Sequence, residues 1–238
     1  MRQKVLSFPK LKTVVLDEAD KMLDMGFRDD IEIIFSKLPK EKQVLMFSAT
    51  MPKEIKELAK THMKNHEILN LSTDTLTVEG VTQYFLSTHP NQRVTMLLGL
   101  IHHFGITKGL IFCDKKRTVD WLSRELGKNG IRSAKIHGDL SQSRRQQNLK
   151  EFKEGKYPLL LATNVASRGI HIEDISHVIN FDMPEEVETY VHRIGRTARK
   201  GKKGVSITFI ATLKDRQQIR LIETVTNSKI LEIKANQT

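Results

Sequence analysis

The sequence predicts an α/β protein built on mainly parallel sheets flanked by helices. Short apolar runs recur along it: Val14-Val15-Leu16, Val44-Leu45-Met46-Phe47, Gly109-Leu110-Ile111-Phe112-Cys113 and Leu159-Leu160-Leu161. Longer stretches with helical apolar spacing separate them, which is the alternation of a doubly wound sheet. Polar or charged residues follow several of the runs directly, and ligands collect at that end of strands in open parallel sheets.

Taken in order, Lys12 to Leu16 reads as a strand, Lys21 to Met25 and Asp29 to Lys37 as helices, and Gln43 to Phe47 as the next strand. Pro52 to Met63 is an amphipathic helix with Ile55, Leu58, Ala59 and His62 on one side and lysines opposite. Glu67 to Leu71 reads as a third strand. The polar, glycine-ended stretch Thr73 to Gly80 reads as a linker. This divides the chain into an incomplete first domain, 1–72, and a complete second one, 81–238. In the second, strands at Val81–Thr88, Gly109–Cys113, Ser133–His137, Pro158–Thr163, His177–Asp182 and Val205–Ala211 alternate with helices. The helices are Arg93–Phe104, Lys116–Lys128, Ser141–Glu154, Val187–Arg196 and Asp215–Thr226, with Ser141 as a cap.

Composition narrows the function classes. Formal net charge is +11, of which residues 73–238 carry +9 and residues 1–72 only +2. A basic C-terminal portion favours a nucleic-acid or nucleotide partner. The single cysteine, Cys113, excludes a disulfide framework within the chain and reads as a buried strand thiol. No apolar run approaches the ~20 residues of a membrane span, and no signal peptide is visible. These features point to a soluble protein in a reducing compartment, the cytoplasm, with the nucleus left open. His62 and His66 have the spacing of a metal pair, but no zinc signature surrounds them.

Four motifs carry chemistry. Asp17-Glu18-Ala19-Asp20 follows the first strand and Ser48-Ala49-Thr50 the second. Thr163-Asn164-Val165-Ala166-Ser167-Arg168-Gly169 follows a buried strand. His192-Arg193-Ile194-Gly195-Arg196-Thr197-Ala198-Arg199 follows Asp182-Met183-Pro184-Glu185-Glu186, which reads as a helix start with Asp182 as cap. On one helix, arginines three apart would form a cationic ridge suited to a polyanion, with guanidinium forks for phosphate oxygens.

With these motifs in this order, the chain resembles the DEAD-box ATP-dependent RNA helicases over nearly its whole length, covering the C-terminal part of that family's two-domain core. The resemblance implies tandem RecA-like parallel sheets, with ATP and Mg2+ as cofactors and single-stranded or duplex RNA as partner. It implies that Asp17 holds hydrated magnesium, that Glu18 is the catalytic base, and that Arg196 and Arg199 are arginine fingers. Gly169 and His171 would lie on the nucleotide side of the second domain. Asp20, Ser48, Thr50, His192 and Arg193 would couple the domains. Lys115, Gln142, Arg145 and Thr163 would contact or align the RNA backbone. The chain departs from the family at Asn164 (usually Asp), Ser167 (usually Ala), Ala198 (usually Gly, read as a mild, helix-favouring change) and His171 (usually an Asp on the ribose).

No G-x-x-x-x-G-K-[ST] occurs anywhere in the sequence, and residues 1–72 contain one glycine, Gly26. The backbone cradle and lysine that hold β- and γ-phosphates are therefore not in this chain. The expectation is a helicase part that does not hydrolyse ATP alone, with an open sheet edge through which it self-associates. The alternative is a non-catalytic RNA-binding or regulatory module that keeps the motifs.

Overall fold

The computed structural model describes residues 8–48, 50–70, 80–164, 172, 174–198 and 201–234. The chain divides into two compact units, Met1–Thr73 and Asp74–Thr238, each with its own sheet.

In the first unit, strands β1 (Thr13–Leu16) and β2 (Gln43–Met46) pair in parallel, from Thr13↔Gln43 to Leu16↔Met46. Helices α1 (Ala19–Asp24) and α2 (Arg28–Ser36) lie between them in sequence, and α3 (Lys53–His62) follows. Leu16, Ala19, Ile31, Phe35, Ile55 and Leu58 form the core. His62 stacks on Phe35 with ring centroids 4.1 Å apart and meets Glu32 at 2.9 Å, so the histidine on the apolar side of α3 is a packing residue. The third strand expected at Glu67 to Leu71 is a correction. Glu67–Asn70 form no strand, and Leu71 lies outside the described residues. Local propensity does not hold a strand without a ladder, and Ile68 and Leu69 are left 60% and 77% exposed. Among the described residues, β1 and β2 have only each other, so both present an open edge.

The described part of the second unit begins at Gly80, whose φ of 77° suits glycine; the rest of the expected linker lies outside the described residues. Its strands are β3 (Val81–Ser87), β4 (Gly109–Phe112), β5 (Ser133–Ile136), β6 (Leu159–Ala162), β7 (His177–Asn180), β8 (Gly204–Ile210) and the short β9 (Leu231–Glu232). They form one parallel sheet in the order β5-β6-β4-β7-β8-β3-β9. β4 and β6 are buried at every position, as strands covered on both faces must be. The helices are α4 (Arg93–His103), α5 (Lys116–Lys128), α6 (Gln142–Lys153), α7 (Val187–Ile194) and α8 (Leu213–Thr226).

Alternation along the strands sorts these helices into layers. Ile111, Ile179, Ile207 and Phe209 pack with Leu97 and Leu100 of α4 and Leu122 and Leu126 of α5. The opposite-facing Leu110, Phe112, Leu160 and Val178 pack with Phe152 of α6, and Phe85 and Ile210 with Tyr190 of α7 and Ile222 of α8. Ser141 caps α6 by accepting from the Arg144 amide, and Thr212 and Asp215 form a capping box at α8. The chain leaves β4 for β5 and β6, then crosses back to β7 on β4's other side. The C-terminal ends of β4 and β7 thus flank a topological switch point, where crevices form.

The helix after Asp182 departs from its sequence reading. Glu186, not Asp182, occupies the cap position of α7, and the helix ends at Ile194. Arg196 therefore lies beyond it, and no three-arginine ridge forms on one helix. Ala198 adopts φ 55°, in the left-handed region. Alanine there is strained rather than helix-favouring, at a cost of about 1 kcal/mol relative to glycine. Ala198→Gly is expected to raise the stability of the second unit by about that amount, read as the midpoint of urea unfolding. An unchanged or lower midpoint would show the strain to be absent.

Candidate functional site

The first unit presents a sharp turn at the end of β1. Asp17 is exposed, Glu18 half-buried, and Ala19 and Asp20 buried. This division follows from the backbone: Glu18 takes φ 51° and ψ 44°, a left-handed conformation unusual for a non-glycine residue. The Ala19 amide donates to the Phe47 carbonyl at 3.0 Å, and the Phe47 amide to the Leu16 carbonyl at 2.8 Å, tying the ends of β1 and β2 together. Strain held by such surroundings marks a position where side-chain direction matters. Here it leaves Asp17 exposed and Glu18 partly exposed, while Asp20 is buried.

The inward carboxylate, Asp20, joins the second motif. Its Oδ2 accepts from the Thr50 amide and the Thr50 hydroxyl, both at 2.9 Å, and its Oδ1 from the Lys21 amide at 2.9 Å. The Asp20 amide donates to Ser48 Oγ at 3.2 Å, and that hydroxyl donates to the Thr50 carbonyl at 2.6 Å. Burial pushes the Asp20 carboxyl up, but the Thr50 hydrogen bonds, helped by the Lys21 amide and charge, outweigh it and hold it below the usual carboxylate range. Asp20 therefore stays ionised at neutral pH. Ser48 and Thr50 serve this carboxylate and not the helix after Pro52, which has no side-chain cap.

At the switch point of the second unit, Arg193 is 2% exposed and turned into its own sheet. Its Nε donates to Asn164 Oδ1 at 2.7 Å and its Nη2 to Asp114 Oδ1 at 2.9 Å. Its Nη1 reaches the Asp182 carbonyl at 2.9 Å and Asn180 Oδ1 at 3.2 Å. The guanidinium carbon lies 5.2 Å from the Phe112 ring centroid. Asp182 in turn accepts from Arg93 at 3.1 Å and from the Asp114 amide at 3.0 Å. Burial lowers the Arg193 pKa, while the Asp114 hydrogen bond and charge oppose that shift. The guanidinium fork thus clamps the ends of β4, β6 and β7. Asn164, where the family usually carries Asp, supplies the needed acceptor without a charge. No local pattern in the sequence joins Asp114, Asn164 and the Asn180–Asp182 stretch to Arg193, because these segments lie far apart in the chain.

Arg196 lines a small crevice of about 160 Å³ with Asp174, Thr197, Ala198, Lys202 and Lys203, where Lys202 pairs with Asp174. Thr197 is fixed here through its hydroxyl, which donates to the Ile175 carbonyl. Gly204 is required beside it: a Cβ there would stand 2.5 Å from Thr197 Cγ2 and 2.8 Å from the Ala198 amide nitrogen. His192 is exposed on α7. Arg199, Gly169, Ser167 and His171 lie outside the described residues.

The four expected RNA-contacting residues share one end of the sheet. Lys115 is exposed at the start of α5, and Thr163 follows β6, its amide donating to Ile136 of β5 at 3.3 Å. Gln142 and Arg145 lie on the first turn of α6, joined by a 3.2 Å bond from Arg145 Nη1 to Gln142 Oε1. Hydroxyl, amide and cations set together suit phosphate and sugar contacts. Among the described residues, no group of three or more His, Cys, Asp or Glu side chains is placed to hold a metal ion.

Residues 1–58 match the DEAD/DEAH box helicase family and residues 92–201 the helicase conserved C-terminal domain. The chain belongs to the DEAD-box helicase family. It is 42% identical over 235 residues to the DEAD-box ATP-dependent RNA helicase CshA of Bacillus licheniformis, matching 99% of this chain and 48% of that protein. The CshA of Geobacillus kaustophilus is 43% identical over 229 residues, matching 96% of this chain and 49% of that one. The chain thus spans about half the length of the curated relatives it matches. Among solved structures, S. cerevisiae Dbp5 bound to RNA and ADP BeF3 aligns with a TM-score of 0.87 and 33% identity, over 98% of this chain and 62% of that one. A DEAD box protein from Methanococcus jannaschii aligns with a TM-score of 0.61 and 39% identity, over 98% and 62% of the two chains.

Proposed function

We propose that the chain supplies the water-activating and charge-neutralising parts of an ATP-dependent RNA helicase core, whose phosphate cradle lies in sequence outside these 238 residues. The observation that carries this reading is the strained turn at Glu18, which leaves Asp17 exposed and Glu18 partly exposed while Asp20 is locked to Thr50. In the proposed reaction Glu18 orients and deprotonates the attacking water. Arg196, with Arg199, neutralises charge on the transferring phosphoryl group. We assign nucleotide binding in the second unit to Gly169 and His171, which lie outside the described residues. Asp17 fits hydrated magnesium: one oxygen accepts from the Glu18 amide at 2.9 Å and the residue is exposed, and this ion takes one or two carboxylates and keeps several waters. When bound, magnesium supplies charge neutralisation at the phosphates.

In this reading His192, Arg193, Asp20, Ser48 and Thr50 couple the two units, and within the second unit Arg193 also orders the ends of β4, β6 and β7. Lys115, Gln142, Arg145 and Thr163 hold the RNA backbone, and closure on ATP separates short duplexes. The open edges of β1 and β2 form a self-association surface, supported by the 53% and 55% exposure of Val15 and Phe47. Among the described residues no helix is long and apolar enough to cross a membrane, and we place the protein in the cytoplasm.

RNA titration of the chain at several salt concentrations tests the binding half of this proposal. Affinity should fall steeply with salt, by a slope of roughly −0.7 per phosphate contact, and vary little with base sequence. A flat salt response, or strong preference for one sequence, would contradict backbone recognition.

A further inference from the structure

We infer that the groove between α5 and the edge strand β5 is a second RNA-binding surface, which stacks a base on Trp121 and holds flanking phosphates with Arg117 and Arg124. The inference rests on the RNA-binding function proposed for the chain and extends it to a surface that function does not yet use.

The groove has a volume of about 560 Å³ and is lined by Arg117, Asp120, Trp121, Arg124 and Lys135. Its geometry follows from the fold. Positions 117, 121 and 124 are i, i+4 and i+7, which lie on one helix face. The other face of α5 buries Val119, Leu122 and Leu126. Ala134 and Ile136 of β5 point into the α6 side of the sheet, so Lys135 points to the α5 side. β5 ends the strand order, so among the described residues nothing pairs with its outer edge.

Trp121 is the only tryptophan in the chain and is 40% exposed. Its ring rests against the buried Phe181 with centroids 6.3 Å apart, so the indole has a fixed backing and an open side. A supported aromatic beside cations is the usual platform for single-stranded nucleic acid, since every base has a π-face. The charges agree. Asp120 is held by Lys135 and stands 3.3 Å from His137 Nε2, and these neighbours pull its carboxyl down against the desolvation that raises it. Among the described residues no carboxylate pairs with Arg117 or Arg124, so the groove keeps two uncompensated guanidinium groups flanking the indole. They stand roughly 10 Å apart along the helix axis. An acidic peptide would answer the charge, but a groove this open offers no enclosed pocket for an apolar anchor, and RNA matches both the charge and the flat ring. The groove also starts two residues after Lys115, at the RNA-facing end of the sheet, so a strand held there can continue along α5.

The single tryptophan makes the test site-specific. The full 238-residue chain is titrated with a fluorescein-labelled, unstructured 20-nucleotide RNA, following RNA anisotropy and Trp121 emission together. The expected result is saturable quenching of Trp121 with the same midpoint as the anisotropy change. Trp121→Ala should weaken binding roughly tenfold, with Trp121→Phe recovering part of it. Arg124→Gln, a surface change that keeps the reporter and leaves the fold intact, should weaken binding several-fold and reduce the salt slope by about 0.7. RNA binding with unquenched Trp121 and wild-type affinity in Trp121→Ala and Arg124→Gln would overturn the inference and leave the proposed RNA-binding function standing. Absence of any anisotropy change would overturn both. Quenching by polyglutamate but not by RNA would assign the groove to acidic protein segments and overturn it as well.

Discussion

Arg196→Ala is expected to lower RNA-stimulated ATP hydrolysis by on the order of 10³–10⁵, once the chain is joined to a phosphate loop. The size reflects where such a cation acts. Charge grows on the transferring phosphoryl group only as the reaction proceeds, so a guanidinium placed there stabilises the transition state more than bound ATP. The rate constant should therefore fall while the Michaelis constant for ATP changes little. The residues that follow Arg196 are closely placed: Thr197 is pinned by its hydroxyl, and Gly204 lets β8 pass close to Thr197 and Ala198. Arg196→Lys should restore only a small part of the rate, because an ammonium cannot offer the same two-pronged contact. A fall of less than tenfold in Arg196→Ala would remove this residue from the reaction.

Arg193→Ala is expected to cost the second unit on the order of 3 kcal/mol of stability, because it leaves several buried acceptors without their donor, while Asp114, 43% exposed at its side chain, can turn to solvent. It leaves Asp114 without its cation and the Asn164 and Asn180 oxygens without their donor. For a unit of this size that corresponds to a fall of roughly 10 °C in melting midpoint. Emission from Trp121, the single tryptophan, reports on this unit alone, so the first unit does not obscure the transition. Arg193→Lys should recover part of the loss, since one ammonium cannot serve acceptors spread around a planar fork. A midpoint within 2 °C of the wild type (about 1 kcal/mol or less) would show that the network is not structural.

The contrast between these arginines shows what is legible in the sequence. The buried runs at β4 and β6, the alternation with helices, and the parallel architecture all follow from local pattern, because a strand covered on both faces must be apolar throughout. The Asp17-Glu18 pair and the buried Asp20 are legible as a motif but not as a conformation. Only the structure places Glu18 in the left-handed region. The arginine motif does not form the one helical ridge its spacing suggests: spacing of three is a helix signal only if the helix continues, and α7 ends at Ile194. Ala198 misleads for the same reason, since its cost depends on a backbone angle that composition does not encode. The Glu67 run has the residues of a strand but no ladder. The Arg193 network draws on segments far apart in sequence, Asp114 with Arg193, so no local window contains it, whereas the Trp121 groove is mostly one face of α5 and needs the fold only to bring in Lys135. The spacing of Arg117, Trp121 and Arg124 is the one signal that could have drawn attention to α5.

Phosphate release with ATP, magnesium and RNA tests the central claim most directly, measured on the 238-residue chain and on a fusion that adds the N-terminal segment of a CshA relative. The account predicts no turnover by the chain itself, and RNA-stimulated turnover by the fusion that disappears in Glu18→Gln. Turnover by the unfused chain that is lost in Glu18→Gln, or a folded fusion whose turnover is indifferent to Glu18, would contradict it.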